Sequence, residues 1–223
     1  VANCRQFALL LKWEAEALGA EFHFNCDIAP LSRAAPTSLS LASGSEALRF
    51  DAVIVCAGLA SATLLRPLGL RIPLAPVYGH SVSAPVREPL NAPRSAVMDE
   101  RYKVAISRLG QRVRVAGSAE IGGSLDTMNP AAIQTLYKVL HDWFPGAATL
   151  QSGVQQWKGA RPMLPDGPPV LGASGIPGVW LNLGHGSGGW ALSCGSARVL
   201  GDLIGGREPG VDLEGLGVER LNP

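Results

Sequence analysis

The 223 residues include 47% hydrophobic and 17% charged side chains, a composition typical of a globular rather than a disordered protein. The formal net charge is +1 and no lysine or arginine block stands out, which argues against a nucleic-acid-binding surface. No uninterrupted apolar stretch approaches the roughly 20 residues of a membrane-spanning helix. Charged side chains interrupt the apolar pattern of residues 1–20, so we interpret this segment as part of a soluble chain, not as a signal peptide.

The cysteines and histidines show no metal-ligand spacing. They are Cys4, Cys26, Cys56 and Cys194, with His23, His80, His141 and His185. Because no C-x-x-C pair or ligand cluster occurs, we expect no bound metal. Reduced, mostly buried thiols in a cytoplasmic protein are the simpler interpretation.

The first elements alternate between helix and strand. Asn3 is a plausible N-cap, and Gly19 is a plausible C-terminal stop for the helix between them. Its apolar stripe consists of Phe7, Leu10, Leu11, Ala15 and Leu18. Residues 21–25 alternate like a strand, and the Ser-, Ala- and Pro-rich residues 30–45 predict a short hairpin. The near-continuous apolar run 50–58 predicts a strand buried on both faces of a parallel sheet.

The middle of the chain has the pattern of an antiparallel sheet. Prolines punctuate it and favour extended segments and turns over helix. Residues 77–84, 102–108 and 112–118 alternate like antiparallel strands, and Gly110 permits a hairpin turn between the last two.

A helix follows these antiparallel strands, and the last part of the chain then returns to the strand and helix pattern of the first part. Asn129-Pro130 predicts the start of a helix that ends at Phe144. A loop over residues 156–172, a strand over 178–184 and a helix over about 188–205 follow.

Together these elements predict an α/β (α+β mixed) fold with two domains. Residues 1–65 and 174–223 are expected to form an incomplete parallel α/β domain, and residues 66–173 an antiparallel-sheet domain. The parallel part lacks the opening strand, G-x-G-x-x-G turn and helix of a dinucleotide-binding domain.

A glycine-rich turn at Gly184-His185-Gly186-Ser187-Gly188-Gly189 lies between a predicted strand and a predicted helix. Small residues let backbone N–H groups approach a ligand, and the helix N-terminus adds a positive partial charge. The alternative is a plain strand-to-helix turn whose glycines provide positive φ and tight packing. Spacing alone weights the two equally.

Arg161 lies between glycine and proline residues in the predicted loop. Its planar guanidinium suits a substrate carboxylate, because it donates two parallel hydrogen bonds. The alternative is a structural ion pair with a carboxylate such as Asp166, and the arginine alone favours that alternative.

The order of these motifs resembles a known family. The sequence contains V-I-V-C-A-G, P-V-Y-G-H-S, D-E-R-Y-K-V-A-I-S-R-L, G-A-R-P-M-L-P-D-G-P-P-V-L-G and G-H-G-S-G-G-W-A-L-S-C-G-S-A-R-V-L-G in that order. It resembles the C-terminal half of the FAD-dependent D-amino-acid oxidase superfamily, with the greatest similarity to bacterial D-amino-acid dehydrogenases, over nearly the whole chain.

The resemblance implies roles for individual residues. It implies that Arg161 binds the substrate carboxylate and that Tyr102 helps to close the substrate pocket. The residues implied in FAD binding are Cys56, Ala57, Gly58, Gly184, His185, Gly186, Ser187, Gly188 and Gly189. His80 stands where the dehydrogenase branch commonly has an aromatic residue.

The implied reaction belongs to amino-acid catabolism: the α-carbon of a D-amino acid transfers hydride to flavin N5, and the imino acid hydrolyses. Catalytic residues are not nominated, because the neutral amine can lose hydride without a general base, and no cysteine is placed to tether flavin. The implied electron acceptor is a quinone or oxygen. The implied location is the cytoplasm, with peripheral contact at the inner membrane surface as an alternative.

Because the opening nucleotide-binding unit is absent from this sequence, we expect the isolated chain to bind FAD poorly and to be inactive alone. An unpaired sheet edge would favour a homo-oligomer. Two alternatives also fit the sequence: a glycine- or sarcosine-type amine oxidase, and a non-catalytic, flavin-free interaction domain.

Overall fold

The computed structural model describes residues 2–44 and 46–221. The helices are α1 Cys4–Ala17, α2 Ser61–Leu65, α3 Pro130–Trp143 and α4 Gly189–Ile204. The strands are β1 Ser38–Leu39, β2 Leu48–Arg49, β3 Val53–Val55, β4 Ala75–Pro85, β5 Val97–Asp99, β6 Val104–Leu109, β7 Arg112–Glu120, β8 Gln155–Met163, β9 Val170–Ala173 and β10 Val179–Leu183.

The chain divides into two compact units. The antiparallel-sheet unit comprises Val1–Glu14 and Val77–Ala160, and the parallel-strand unit comprises Ala15–Pro76 and Arg161–Pro223. These units differ from the predicted domains at both ends of the first segment and at one later boundary. The residues up to Glu14 group with the antiparallel sheet, while residues 66–76 and 161–173 group with the parallel strands. The reason is burial: Leu68, Ile72, Leu164 and Val170 share one core with Val53, Val55, Val179 and Leu181.

A five-stranded sheet in the order β5-β6-β7-β4-β8 dominates the antiparallel-sheet unit. The predicted hairpin is confirmed: β6 pairs antiparallel with β7, and Gly110 between them has a φ of 59°. Alternate residues of these strands, Val104 and Ile106 on β6 with Val113 and Val115 on β7, are buried. Helix α3 packs on this face, so the period-2 strand pattern and the helical stripe share one core.

The sequence around α3 explains its boundaries. Pro130 occupies the first turn, where its missing N–H costs no hydrogen bond, and the side chain of Asn129 accepts from the backbone N–H groups of Ala131 and Ala132 at 3.1 and 3.2 Å. The helix ends at Trp143, immediately before Phe144. The predicted start and stop of this helix are therefore confirmed.

The parallel-strand unit is built on a three-stranded sheet in the order β3-β10-β9. Strand β10 pairs parallel with β3 and antiparallel with β9. Helix α4 packs against β9 and β10 and ends at Ile204, next to Gly205 as expected.

Three local predictions differ from the structure. Residues 21–25 form no strand, and they pair with no other described strand. Strand β3 is buried on one face only, because Ile54 is 47% exposed between buried Val53 and Val55. Residues 156–172 contain strands β8 and β9 in place of a continuous loop.

Helix α1 begins as predicted: Asn3 Oδ1 accepts from the backbone N–H of Gln6 at 3.2 Å, and Gly19 has a φ of 92°. The helix has no buried residue, and Phe7, Leu10 and Leu11 of its apolar stripe are exposed. The four cysteines form no disulfide, and all are exposed, which contradicts the expected burial. Within the described residues, no helix is long and apolar enough to cross a membrane.

Truncation of Leu136 tests the core of the antiparallel-sheet unit. Leu136 is 1% exposed on α3, so Leu136→Ala should lower the free energy of unfolding by about 2–5 kcal/mol through lost burial and a residual cavity. The matched control is Leu90→Ala, since Leu90 is 78% exposed and the expected change is within about 0.5 kcal/mol. Urea denaturation followed by circular dichroism measures both, and equal losses would contradict this description of the core.

Candidate functional site

The pairing of β3 with β10 brings together two segments far apart in sequence. Val55 lies opposite Leu181 in the parallel register, so residues 56–58 and 184–189, which follow the two strands, leave the sheet at the same edge. Ligands of open α/β sheets bind outside the carboxyl ends of their strands. Both segments with implied cofactor roles therefore lie where such a sheet binds a ligand.

The turn after β10 depends on glycine at two positions. Gly184 and Gly186 have φ values of 76° and 53°, a region that side-chain-bearing residues seldom adopt. A Cβ on Gly184 would lie 2.5 Å from Leu164 Cδ1, and one on Gly186 would lie 2.5 Å from Met163 Sδ. At these two positions the tight-packing interpretation accounts for the glycine.

The rest of the turn is open and leads into the N-terminus of α4. Ser187 and Gly188 are exposed, and no side chain caps the helix at Gly188. The N–H groups of a first helical turn point toward the preceding segment and carry a positive partial charge. This end of the turn can therefore receive an anionic or electron-rich ligand edge, and it fits the negative charge that the pyrimidine edge of a reduced flavin carries.

Two buried polar atoms near the sheet lack a hydrogen-bond partner. They are Asn182 Oδ1 on β10 and Ser61 Oγ on α2. A buried, unsatisfied polar atom is costly and suggests a partner outside the protein chain. Asn182 was not among the predicted site residues, and the signal that could have found it is its position two residues before the glycine turn.

His185 is held in place by a second polar residue of the same unit. Its Nε2 lies 2.9 Å from Ser196 Oγ on α4. Desolvation by burial lowers the pKa of the imidazole below its usual value of 6.5, so the ring is neutral at physiological pH. A neutral imidazole within the turn can orient a ligand without adding a formal charge. The sequence could not predict the contact with Ser196, because this contact depends on which residues of α4 lie on the side facing His185.

The segment after β3 is the other part of this edge. Cys56 and Ala57 are exposed, and Gly58 takes a φ of 56° with open space where a Cβ would point. Although Cys56 reaches solvent, partial desolvation raises the pKa of its thiol. The segment thus presents a neutral, small-residue surface, which fits close approach of a ligand to the backbone.

Arg161 lies on a strand, not in the predicted loop. It belongs to β8, the edge strand of its sheet, and an edge strand tolerates Pro162 because the missing N–H there needs no ladder partner. The carboxylate of Asp166 accepts from Arg220 Nε at 2.7 Å, and this hydrogen bond lowers the pKa of Asp166. The proposed structural partner of Arg161 is thus engaged by another arginine.

Tyr102 lies in the turn between β5 and β6, in the antiparallel-sheet unit. Its backbone N–H donates to Asp99 Oδ1 at 2.9 Å, and Asp99 Oδ2 accepts from Trp143 Nε1 at 2.7 Å. The hydrogen bond from Trp143, followed by the one from Tyr102, lowers the pKa of Asp99. The ring of Tyr102 packs against the core of that unit, and Arg101 Cζ lies 5.2 Å from the centroid of this ring.

Comparisons with known proteins identify the family of this chain. A family model described as FAD dependent oxidoreductase matches residues 1–203. The D-amino acid dehydrogenase of Rhizobium johnstonii is 42% identical over 218 residues, which cover 98% of this chain and 52% of that protein. The D-amino acid dehydrogenase of Cereibacter sphaeroides is 43% identical over 218 residues, covering 98% and 50%. The chain therefore spans about half the length of the curated relatives it matches.

Solved structures share the fold at lower sequence identity. Glycine oxidase from Geobacillus kaustophilus superposes with a TM-score of 0.82 at 22% identity, covering 95% of this chain and 56% of that one. L-proline dehydrogenase from P. horikoshii gives a TM-score of 0.76 at 14% identity, covering 94% and 57%. At these identities the similarity establishes the predicted mixed α/β fold alone.

Substitution of Gly186 tests the packing of the turn. Gly186→Ala should lower the free energy of unfolding by about 1–3 kcal/mol, because alanine is strained at positive φ and its Cβ meets Met163. The same substitution at Gly195 in α4, where nothing lies within 4 Å of the added Cβ, should raise stability by up to about 1 kcal/mol. A urea titration in which both variants respond alike would contradict the assigned role of Gly186.

The pH dependence of stability tests the environment of His185. Because burial lowers its pKa in the folded state, the unfolded state binds the proton more readily, and stability should fall as pH drops below 6.5. His185→Gln should reduce the loss between about pH 7.5 and 5.5 while keeping a polar partner for Ser196. His23→Gln, at an exposed imidazole, is the control and should leave the urea midpoints at both pH values unchanged.

Proposed function

Because this chain belongs to the FAD dependent oxidoreductase family, we propose that it forms part of an enzyme that oxidises D-amino acids with FAD. The substrate class is supported by relatives at 42–43% identity that are named D-amino acid dehydrogenase. The observation that carries the proposal is the parallel pairing of β3 with β10, which aligns residues 56–58 with the glycine turn at one sheet edge.

We assign FAD binding to the parallel-strand unit. After β3, Cys56 and Ala57 are exposed and Gly58 is half-buried, so this segment offers a small-residue backbone. After the paired strand β10, residues 184–189 offer the glycine turn. Bound FAD would supply the acceptor for hydride from the substrate α-carbon. The uncapped N-terminus of α4 would stabilise negative charge on the flavin edge, and the neutral ring of His185 would add no competing charge.

We assign the substrate carboxylate to Arg161. Its guanidinium can donate two parallel hydrogen bonds to a carboxylate, and its place on a hydrogen-bonded strand restricts its backbone. Holding the carboxylate fixes the position of the α-carbon, which is the main contribution a protein makes to such a reaction. Tyr102 is proposed to close the substrate pocket, on a turn that Asp99 holds through its backbone N–H.

The remaining partners are proposed from the same family relation. The electron acceptor is a quinone or oxygen, and the enzyme acts in the cytoplasm or at the inner membrane surface. The amine-oxidase alternative receives no specific support, because the similarity to glycine oxidase is limited to the fold.

A chimeric enzyme tests the proposed activity. The matched half of the Rhizobium johnstonii D-amino acid dehydrogenase is replaced by this chain, to which it is 42% identical. We expect a flavin absorbance spectrum and dye reduction that depends on a D-amino acid, whereas the isolated chain mixed with FAD should show weak binding. A folded chimera without flavin would contradict the FAD assignment, and a flavin-loaded chimera that oxidises no D-amino acid would contradict the substrate class.

The role of Arg161 is tested in that chimera. Arg161→Lys should raise KM for the D-amino acid by about 10- to 100-fold, because a lysine ammonium cannot reproduce the two-pronged hydrogen bond to a carboxylate. Arg87→Lys, at an exposed position, is the matched control and should leave KM unchanged. Steady-state kinetics measure KM for the D-amino acid in both variants. An unaltered KM in the Arg161 variant would contradict the assignment of this residue to the substrate site.

A further inference from the structure

The antiparallel-sheet unit contains a buried polar cluster that the proposed chemistry does not use. We name it the imidazole cluster; it consists of His80 on β4, Ser118 and Glu120 on β7, Asn129 before α3, and Lys158 on β8. The side chain of His80 is fully buried, and that of Lys158 is 2% exposed. Charged and titratable groups in such a position require an explanation, because desolvation makes them costly unless they are paired.

The hydrogen bonds fix the tautomer of neutral His80. The backbone N–H of Asn129 donates to His80 Nε2 at 3.3 Å, so Nε2 must carry a lone pair. The hydrogen of the neutral ring then resides on Nδ1, which lies 2.9 Å from Ser118 Oγ. Ser118 also accepts from the backbone N–H of His80 at 3.2 Å, and it holds this position with a φ of 65°.

Glu120 faces the same ring nitrogen. Its Oε1 accepts from Lys158 Nζ at 3.1 Å, while its buried Oε2 has no hydrogen-bond partner and lies 3.6 Å from His80 Nε2. With neutral His80, two lone-pair-bearing atoms face each other across this gap. A proton on Nε2 would convert the contact into a charge-assisted hydrogen bond.

Lys158 and Glu120 have opposite effects on the protonation of His80. Lys158 also donates to the backbone carbonyl of Thr127 at 2.7 Å and lies 4.7 Å from the ring centroid of Tyr78. Its positive charge opposes a second positive charge on His80, while Glu120 favours one. The carboxylate oxygen nearest the ring belongs to Glu120, so the direct contact favours protonation.

We propose that His80 is a proton-dependent latch on the N-terminus of α3. In the neutral state Nε2 accepts from the backbone N–H of Asn129, the residue that caps the helix. When one proton from solvent binds Nε2, that nitrogen becomes a donor to Glu120 Oε2 and can no longer accept from Asn129. The first turn of α3 then loses its attachment to β4.

The first experiment titrates the ¹⁵N-labelled full chain from about pH 8 to 5 by imidazole ¹H–¹⁵N correlation and amide exchange, the range in which histidines change charge. We expect His80 to carry hydrogen on Nδ1 alone at high pH and on both nitrogens at low pH. With the same midpoint, the exchange rate of the Asn129 amide, corrected for its intrinsic pH dependence, should rise at least about tenfold.

Two results of this titration would overturn the latch. One is a His80 Nε2 that stays unprotonated at about pH 5. The other is protonation of His80 without a change at Asn129.

A variant tests the part played by Glu120. Glu120→Gln should lower the His80 midpoint by about one pH unit or more, because the charge that favours protonation is removed. Glu208→Gln, at an exposed position, is the matched control and should leave the midpoint unchanged. An unchanged midpoint in a folded Glu120→Gln chain would overturn the role of the carboxylate. The wild-type titration decides the latch independently of this variant.

Discussion

The parallel pairing of β3 with β10 is the constraint on which the proposed cofactor site depends. These strands lie more than a hundred residues apart in the chain, and their three-residue register aligns Val53 to Val55 with Val179 to Leu181. Only this alignment places the small residues after β3 next to the glycine turn. The core beneath them, with Val170, Val179 and Leu181 fully buried, holds the register, because a slip of one residue would turn those side chains toward solvent.

The glycine turn combines both interpretations that its spacing allowed. At Gly184 and Gly186, positive φ and contact with Leu164 and Met163 make glycine a packing requirement. Beyond them, the uncapped end of α4 supplies the partial charge that a ligand edge would use. Tight packing behind the turn and open backbone in front of it are compatible, since a rigid turn holds its N–H groups in one orientation.

The two units bury charge in different ways. In the parallel-strand unit, Asp202 is held by Arg198 and Arg207 at 2.8 Å each, and these hydrogen bonds lower its pKa. In the antiparallel-sheet unit, the imidazole cluster buries a lysine, a glutamate and a histidine among three strands and a helix N-terminus. The first arrangement surrounds one carboxylate with two arginines, while the second places an imidazole between a carboxylate and the helix N-terminus.

The sequence by itself determined the elements whose signals are local. The cap and proline of α3, the hairpin turn at Gly110 and the helix after the glycine turn all follow from residues within a few positions of each other. The family and its cofactor also followed from the order of the sequence motifs, because that order can be recognised without knowledge of the fold.

Tertiary structure decided everything that depends on a partner distant in the chain. Residues 21–25 alternate like a strand yet pair with none of the described strands, and β8 forms despite Pro162 because it lies at a sheet edge. For the same reason, the sequence could not predict the contact between His185 and Ser196 or the one between Asp166 and Arg220. It could not predict the imidazole cluster either. A strand or a buried charge is stable only with its partner, and the partner is chosen by the fold.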